Sequence, residues 1–318
     1  MTKFALSRLV LGTMTFGDTV DAATARRMVD TALDSGISAI DTANGYAGGA
    51  SEEILRDLLP GRRERVVLAT KAGIPHPDAD GAPPLSPIAL RKCLQGSLRR
   101  LGVDHVDLFY LHQPDRATPI SETVSELGKL VAEGLVSAIG VSNFAAWQIG
   151  EIARECDAQG VPRPVVAQQL YNLLARRVED EYLEFAQVTG LSTVVYNPLG
   201  GGLLTGRHTF GQRPEHGRFG DSRLAAMYTE RYWDDRLFAA VTALSAVAEG
   251  AGIPLTELSL RWLLSRNGVD SLLLGGSRVE HLVANIAAAA GGPLPADVLA
   301  ACDEAGDALR GPMPAYNR

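Results

Sequence analysis

The chain has 318 residues and a formal net charge of −7. With 46% apolar and 21% charged residues it can bury a sizeable core, which excludes a disordered chain, a fibre and a disulfide scaffold. The acidic balance, with basic runs no longer than Arg62, Arg63, Arg65 and Arg99, Arg100, argues against nucleic acid as a partner.

In chain order, apolar runs and helical spacings alternate. The stretch Met1 to Gly17 carries Lys3 and Arg8, but its apolar part is short and broken by Gly12, so no targeting peptide is expected. Strands are predicted at Leu9–Thr13, Ser38–Thr42, Val66–Lys71, Val106–His112, Val136–Asn143, Val165–Leu170, Thr193–Asn197 and Ser271–Gly275. Their continuous apolar character fits strands covered on both faces of a parallel sheet. Between them, Asp21–Ser35 places Ala25, Met28, Val29, Ala32 and Leu33 on one helical face, and Gly36 can end that helix. A helix over Ser51–Leu59 opens on Ser51, and one over Pro87–Leu101 begins with a Ser86-Pro87 cap. Further helices are predicted at Ile120–Glu133, Ala145–Gln159, Asp180–Thr189, Glu230–Gly250, Thr256–Arg266, Val279–Ala290 and Pro295–Leu309. Two long loops, Gly73–Ser86 and Gly200–Thr229, interrupt the alternation, and Gly311–Arg318, with two prolines, reads as a mobile tail.

Parallel neighbours need crossover helices, so eight such units predict a closed (β/α)₈ barrel with extra helices, as a single domain over residues 1–318. The competing open doubly wound sheet wants GxGxxG after its first strand. Leu11-Gly12-Thr13-Met14-Thr15-Phe16-Gly17 does not supply it. Cys93, Cys156 and Cys302 form no CxxC pair and the histidines are scattered, so no metal site is expected; reduced cysteines fit the cytosol. No apolar run of about 18 residues is present to span a membrane.

Barrel chemistry sits at the C-terminal ends of the strands. Those ends carry Thr13, Asp41, Lys71, His112, Ser142 with Asn143, Gln168, Tyr196 with Asn197, and Ser277. Asp41 and Lys71 directly follow apolar runs on adjacent strands. Unpaired buried charge is costly, so the two are expected to form an ion pair, either structural or catalytic. Tyr46 follows in the loop after Asp41, where a nearby ammonium would favour its phenolate and make it a better proton donor; packing on the rim is the alternative. His112 can polarise a carbonyl or serve as a core histidine.

The stretches Leu11-Gly12-Thr13-Met14, Ile40-Asp41-Thr42-Ala43 with Tyr46, Ala69-Thr70-Lys71, Asp107-Leu108-Phe109-Tyr110-Leu111-His112, Gly140-Val141-Ser142-Asn143-Phe144, Tyr196-Asn197-Pro198-Leu199 and Gly275-Gly276-Ser277-Arg278 together resemble the aldo-keto reductases. They run in family order across nearly the whole chain, and look nearest to bacterial members akin to the β subunits of voltage-gated potassium channels. The resemblance implies the barrel and a nicotinamide-dependent reduction of an aldehyde or ketone. It implies a tetrad of Asp41, Tyr46, Lys71 and His112, with Tyr46 as general acid, Lys71 tuning it, Asp41 holding Lys71 and His112 orienting the carbonyl. Cofactor contacts carry over to Gly12, Thr13, Met14 and Asp41. Ser142, Asn143 and Gln168 would hold the carboxamide and Tyr196 would stack on the nicotinamide. Asn197, Pro198, Leu199, Gly201 and Leu203 would line the pyrophosphate path. Gly275, Ser277, Arg278, His281 and Asn285 would take the adenosine end. The guanidinium of Arg278 and the hydroxyl of Ser277 suit a 2′-phosphate, which favours NADPH over NADH. Ala284 and His281 stand where many relatives carry Glu and Gln. The P-loop-like spacing from Gly201 ends in Arg207 and His208 and reads as chance.

The residues fit three activities: a carbonyl reductase, a cofactor-sensing interaction module, and a narrower keto-sugar or dialdehyde reductase. Phe16, Trp147, Phe210, Tyr228 and Trp233 are candidates to line a substrate pocket, and Asp78, Asp80, Arg213 and His216 to meet a polar substrate. The expected partner is a small carbonyl compound; homo-oligomerisation is not legible.

Overall fold

The structure, a computed structural model, describes residue 4 and residues 6–310. The tail read at 311–318 and the first three residues lie outside these. Eight parallel strands close into a barrel in chain order: β1 Leu9–Gly12, β2 Ala39–Asp41, β3 Val67–Ala72, β4 Val106–Leu111, β5 Val136–Ser142, β6 Val166–Leu170, β7 Ser192–Tyr196 and β8 Ser271–Leu274. Each lies within one residue of its predicted bounds. The helices are α1 Ala22–Asp34, α2 Ala50–Arg56, α3 Pro87–Leu101, α4 Ile120–Ala132, α5 Ala146–Gln159, α6 Tyr182–Thr189, α7 Ala225–Tyr232, α8 Asp235–Gly250, α9 Leu255–Leu264, α10 Val279–Ala289 and α11 Ala296–Asp307. The fold is the (β/α)₈ barrel with extra helices.

Backbone proximity groups the described residues into two compact units. The first holds the chain through Gln169 with Val178–Tyr196 and Gly268–Val283, and so the barrel strands but for Leu170, the last residue of β6; the second holds Leu170–Arg177, Asn197–Asn267 and the residues from Ala284. In the second, the buried Trp262 is the packing centre. The ring of Tyr171 lies 5.2 Å from it, and the guanidinium groups of Arg176 and Arg266 lie 5.2 and 5.0 Å from its centroid. Arg176 and Arg266 both pair with Asp303, at 3.0 and 2.9 Å, and Arg176 also lies 3.7 Å from Asp307, so two carboxylates face the two cations over the indole.

Most helix ends follow local chemistry. Asp21 caps α1 by accepting from the Thr24 amide, and Ser86 caps α3 ahead of Pro87. Two expectations need correction. The continuous helix predicted over Glu230–Gly250 is broken, because Trp233 leaves the helical region and Asp234 accepts from the Arg236 amide at 3.0 Å to start α8 anew. The Trp233 ring packs instead on Phe219 and Phe238, at 5.1 and 5.0 Å, and α7 begins inside the stretch predicted as loop. Nor does Ser51 open α2: the helix starts at Ala50 behind Gly49, and the Ser51 hydroxyl is buried.

Strand side chains alternate in direction, so one parity of each strand fills the barrel interior. Ala69, Leu108, Tyr110, Ala138, Val166 and Val194 pack there as one apolar cluster. Counting by two along the same strands reaches Lys71, His112, Ser142, Gln168 and Tyr196. The face that forms the core therefore ends, at the C-terminal mouth, in the polar residues. Cross-strand register aligns Lys71, Tyr110 and Gly140. A Cβ on Gly140 would fall 2.5 Å from the Tyr110 ring, so glycine is required by space rather than by backbone angle. Gly140→Ala is expected to destabilise the protein by about 1–3 kcal/mol, measured as a lower urea midpoint with unchanged m-value.

Candidate active site

The ends of β2, β3 and β4 bring three ionisable side chains together. Asp41 closes β2 and Lys71 is the fifth residue of β3; both are fully buried. The Lys71 ammonium donates to Asp41 Oδ1, to the Thr42 carbonyl at 2.9 Å and to Tyr46 Oη at 3.1 Å. Three protons thus meet three acceptors, which fixes Nζ in place. The second carboxylate oxygen of Asp41 accepts from Gln168 Nε2 at 2.8 Å.

Burial, the largest influence, pushes the Asp41 carboxyl upward against the pull of Lys71 and Gln168. Burial also pulls Lys71 down, but Asp41 and then Tyr46 outweigh it, and the ammonium is held above the ordinary lysine value. One direction favours a neutral acid and the other a charged pair. The hydrogen bonds decide between them. Both Asp41 oxygens accept from nitrogen donors, so neither is left to carry a proton outward, and the pair is carboxylate and ammonium.

Tyr46 begins the short turn Tyr46–Gly49 and is half-buried, with its oxygen on Lys71 and its ring edge-on to His112 at 6.0 Å. His112 follows β4 and is held by its backbone, donating its amide to the Ala72 carbonyl at 2.8 Å. Burial, and then the nearby Lys71 ammonium, pull its imidazole down to about 3, so the ring is neutral at physiological pH. A neutral imidazole can present one N–H donor. Its Nδ1 is buried with no hydrogen-bond partner among the described residues.

Around the tetrad, Asn143 adopts φ 65° and spends its amide locally. Its Nδ2 donates to the His112 carbonyl at 2.9 Å and to Ser142 Oγ at 3.1 Å, and its Oδ1 accepts from Tyr196 Oη at 2.6 Å. Ser142 is buried and Tyr196 half-exposed. Thr13 is buried and its hydroxyl is engaged with Ser51 Oγ and the Asp41 carbonyl, Gly12 packs against Leu273, and Met14 is half-buried. After β8, Gly275, Ser277 and Arg278 are exposed ahead of α10, with His281 Nδ1 3.5 Å from Ser277 Oγ. Arg278 has no carboxylate partner among the described residues.

The second unit holds the remaining predicted contacts. Asn197, at φ 60°, accepts from the Gly201 amide at 2.8 Å and donates to Tyr232 Oη at 2.9 Å. Gly200, Gly201 and Gly202 all take positive φ, and a Cβ on Gly201 would fall 2.7 Å from Tyr228. Pro198 and Leu203 are buried, Leu199 is half-exposed and Asn285 is buried in α10. Of the aromatic pocket candidates, Phe16 and Tyr228 are buried packing residues, whereas Trp147 and Phe210 are exposed. Asp78 pairs with Arg100, Asp80 with Lys92, and His216 with Asp221; the Arg213 side chain is exposed.

Two further side chains support the ion pair. Gln168 braces Asp41 through its amide nitrogen. Tyr110 sits beneath Lys71, its ring centroid 5.6 Å from Nζ; burial raises its phenol against a hydrogen bond with Gln168, so it stays neutral. The signal for Tyr110 was present in its spacing of two from His112, which puts both on one face of β4.

A profile of the family described as Aldo/keto reductase family matches residues 8–307. The chain belongs to this family. It is 39% identical to human "Aldo-keto reductase family 7 member A3", over 97% of this chain and 96% of that protein. It is 37% identical to "Aflatoxin B1 aldehyde reductase member 2" of Rattus norvegicus, over 97% and 87%. It is 34% identical to "Probable voltage-gated potassium channel subunit beta" of Oryza sativa subsp. japonica, over 86% and 84%. Membership makes this aldo-keto reductase an oxidoreductase of carbonyl compounds.

The lowered His112 gives a signed pH dependence. The unfolded chain takes up a proton near pH 6.5 that the folded chain refuses until about pH 3, so stability present above pH 6.5 is lost as pH falls toward 3. Between pH 7 and 5 this site is expected to cost about 2 kcal/mol. Urea midpoints of wild type and His112→Gln should therefore converge as the pH falls; parallel curves would refute the assignment.

Proposed function

We propose that the protein reduces an aldehyde or ketone to an alcohol with NADPH, and that Tyr46 is the general acid. The observation that carries this reading is the 3.1 Å contact between Tyr46 Oη and a fully buried ammonium. As the phenol gives up its proton to the carbonyl oxygen, negative charge grows on Oη. Lys71 is already in place to stabilise it, in surroundings where water cannot screen the attraction. Asp41 keeps Lys71 charged and, through Gln168, fixed. Neutral His112 can donate a ring N–H to the same carbonyl oxygen, orienting the substrate without competing for the proton.

The residues present suit a nicotinamide dinucleotide phosphate. Arg278 is an exposed guanidinium with no carboxylate partner among the described residues, next to Ser277 and the start of α10, a donor set suited to a 2′-phosphate. Ser142 retains a hydroxyl proton for a carboxamide oxygen, and Tyr196 offers a partly exposed ring for stacking. Gly275 and His281 join this set in the first unit. When bound, NADPH supplies the hydride for the carbonyl carbon. The name of the rat relative, an aflatoxin B1 aldehyde reductase, supports an aldehyde as the substrate class. The complete tetrad, with Asp41, Lys71 and Tyr46 hydrogen-bonded in series, favours turnover over a purely sensing role.

Tyr46→Phe is expected to lower kcat for a reactive aldehyde by about 10²–10⁴-fold while leaving NADPH binding within a few-fold of wild type. Wild-type turnover by this variant would overturn the mechanism. Arg278→Ala should raise KM for NADPH by at least about tenfold, a loss of roughly 1.4 kcal/mol, with little change for NADH. Equal losses for both would remove the 2′-phosphate assignment.

A further inference from the structure

Between Tyr46 and α2 the backbone takes an unusual path. Ala47, Gly48 and Gly49 have φ of 49°, 67° and 100° in succession. Ala47 has no glycine freedom, and an L-residue in this region costs about 1–2 kcal/mol. Such a segment persists only where its surroundings over-determine it. Local backbone bonds close the turn on itself: the Tyr46 amide reaches the Ala43 carbonyl at 3.1 Å, the Gly48 amide reaches Gly45 at 3.3 Å, and the Ala50 amide reaches the Tyr46 and Ala47 carbonyls.

The ties from the turn to the barrel strands come from two side chains in the first turn of α2, Ser51 and Glu52, both fully buried. Ser51 Oγ donates to the Thr13 carbonyl at 2.9 Å and lies 3.1 Å from Thr42 Oγ1, beside Asp41. Glu52 Oε1 accepts from Thr70 Oγ1 at 2.6 Å, beside Lys71, and its Oε2 accepts from Arg100 Nε at 2.7 Å. Arg100 is itself held by Asp78 at 2.9 Å, and its aliphatic stem closes over Gly49, where a Cβ would fall 2.8 Å from Cδ. Thr70 and Lys71 are neighbours of opposite parity. One therefore faces Glu52 outside the barrel while the other faces Asp41 inside.

We propose that Glu52 is a positioning residue for Tyr46. Anchored to Thr70 and Arg100, its carboxylate holds the left-handed turn closed against β3, and so sets the separation between Tyr46 Oη and Lys71 Nζ. A buried carboxylate is a costly way to anchor a seven-residue helix. Its anchor on the residue preceding Lys71 ties the helix to the strand that carries the ammonium.

The test uses the full chain and two readouts. One is kcat and KM for aldehyde reduction, which rests on the function proposed above. The other is the alkaline titration of tyrosinate absorbance, taken as the difference from Tyr46→Phe, which needs no substrate. Glu52→Gln is expected to lower kcat about 10- to 100-fold with KM within about twofold of wild type. It should also move the Tyr46 midpoint upward, toward a free phenol, as the ammonium is left farther away. Glu52→Asp should recover part of both. Thr70→Val, which keeps the Glu52–Arg100 pair, should give the same changes at smaller size and serves if Glu52→Gln does not fold. Folded variants with the wild-type midpoint would overturn the proposal, as would equal losses in kcat and structure without rescue by Glu52→Asp. Should the wild type reduce no carbonyl, the proposed function fails, and the titration still decides the role of Glu52.

Discussion

An ammonium and a carboxylate lie together inside an apolar barrel, and the rest of the site is arranged around that fact. Withdrawing both charges from water costs several kcal/mol each, and their mutual attraction seldom does more than offset the loss. Apolar side chains of similar volume would pack the same space without that penalty. The pair is tolerable because nothing in it is left unmet. Lys71 has three acceptors, Asp41 has a donor on each oxygen, and the Tyr110 ring fills the space beneath. Such completeness has a chemical consequence: the third proton of the ammonium is aimed at a phenol.

The same charge shapes its neighbours. Lys71 helps burial keep His112 neutral, so the site holds one strong cation and one uncharged donor rather than two competing cations. Gln168 and Asn143 extend the order outward. Gln168 braces Asp41, while Asn143 ties Ser142, the His112 carbonyl and Tyr196 together. Rigid strand ends set Asp41 and Lys71, and only Tyr46 comes from a turn. That difference explains why the turn after Tyr46 is tied back at Ser51 and Glu52, to residues flanking both charges.

Much of this was legible in the residues. Continuous Val, Ile and Leu runs located all eight strands, since a strand covered on both faces has no polar side to blur its bounds. Asp41 and Lys71 stood out because charge directly after such a run has no water to face. Legibility stopped where a side chain's partner is distant in sequence. Gln168 reaches Asp41 across 127 positions, and nothing local announces it. Ser51 read as a helix cap, because a serine before an apolar run commonly is one; its hydroxyl is instead used by strand ends. The break at Trp233 was hidden because apolar spacing continues through it, and only aromatic packing on Phe219 and Phe238 pulls that residue out of the helix. Phe16 looked like a pocket wall and is core, since an aromatic beside the mouth can turn either way.

The buried pair is retained for its effect on Tyr46 and not for the stability of the barrel. The direct measurement is kcat and thermal stability of the double variant Asp41→Asn/Lys71→Met, which removes both charges and so orphans neither. A folded protein is expected, with a Tm near or above that of wild type and aldehyde turnover reduced by about 100-fold or more. Turnover within a few-fold of wild type in that folded protein would contradict it.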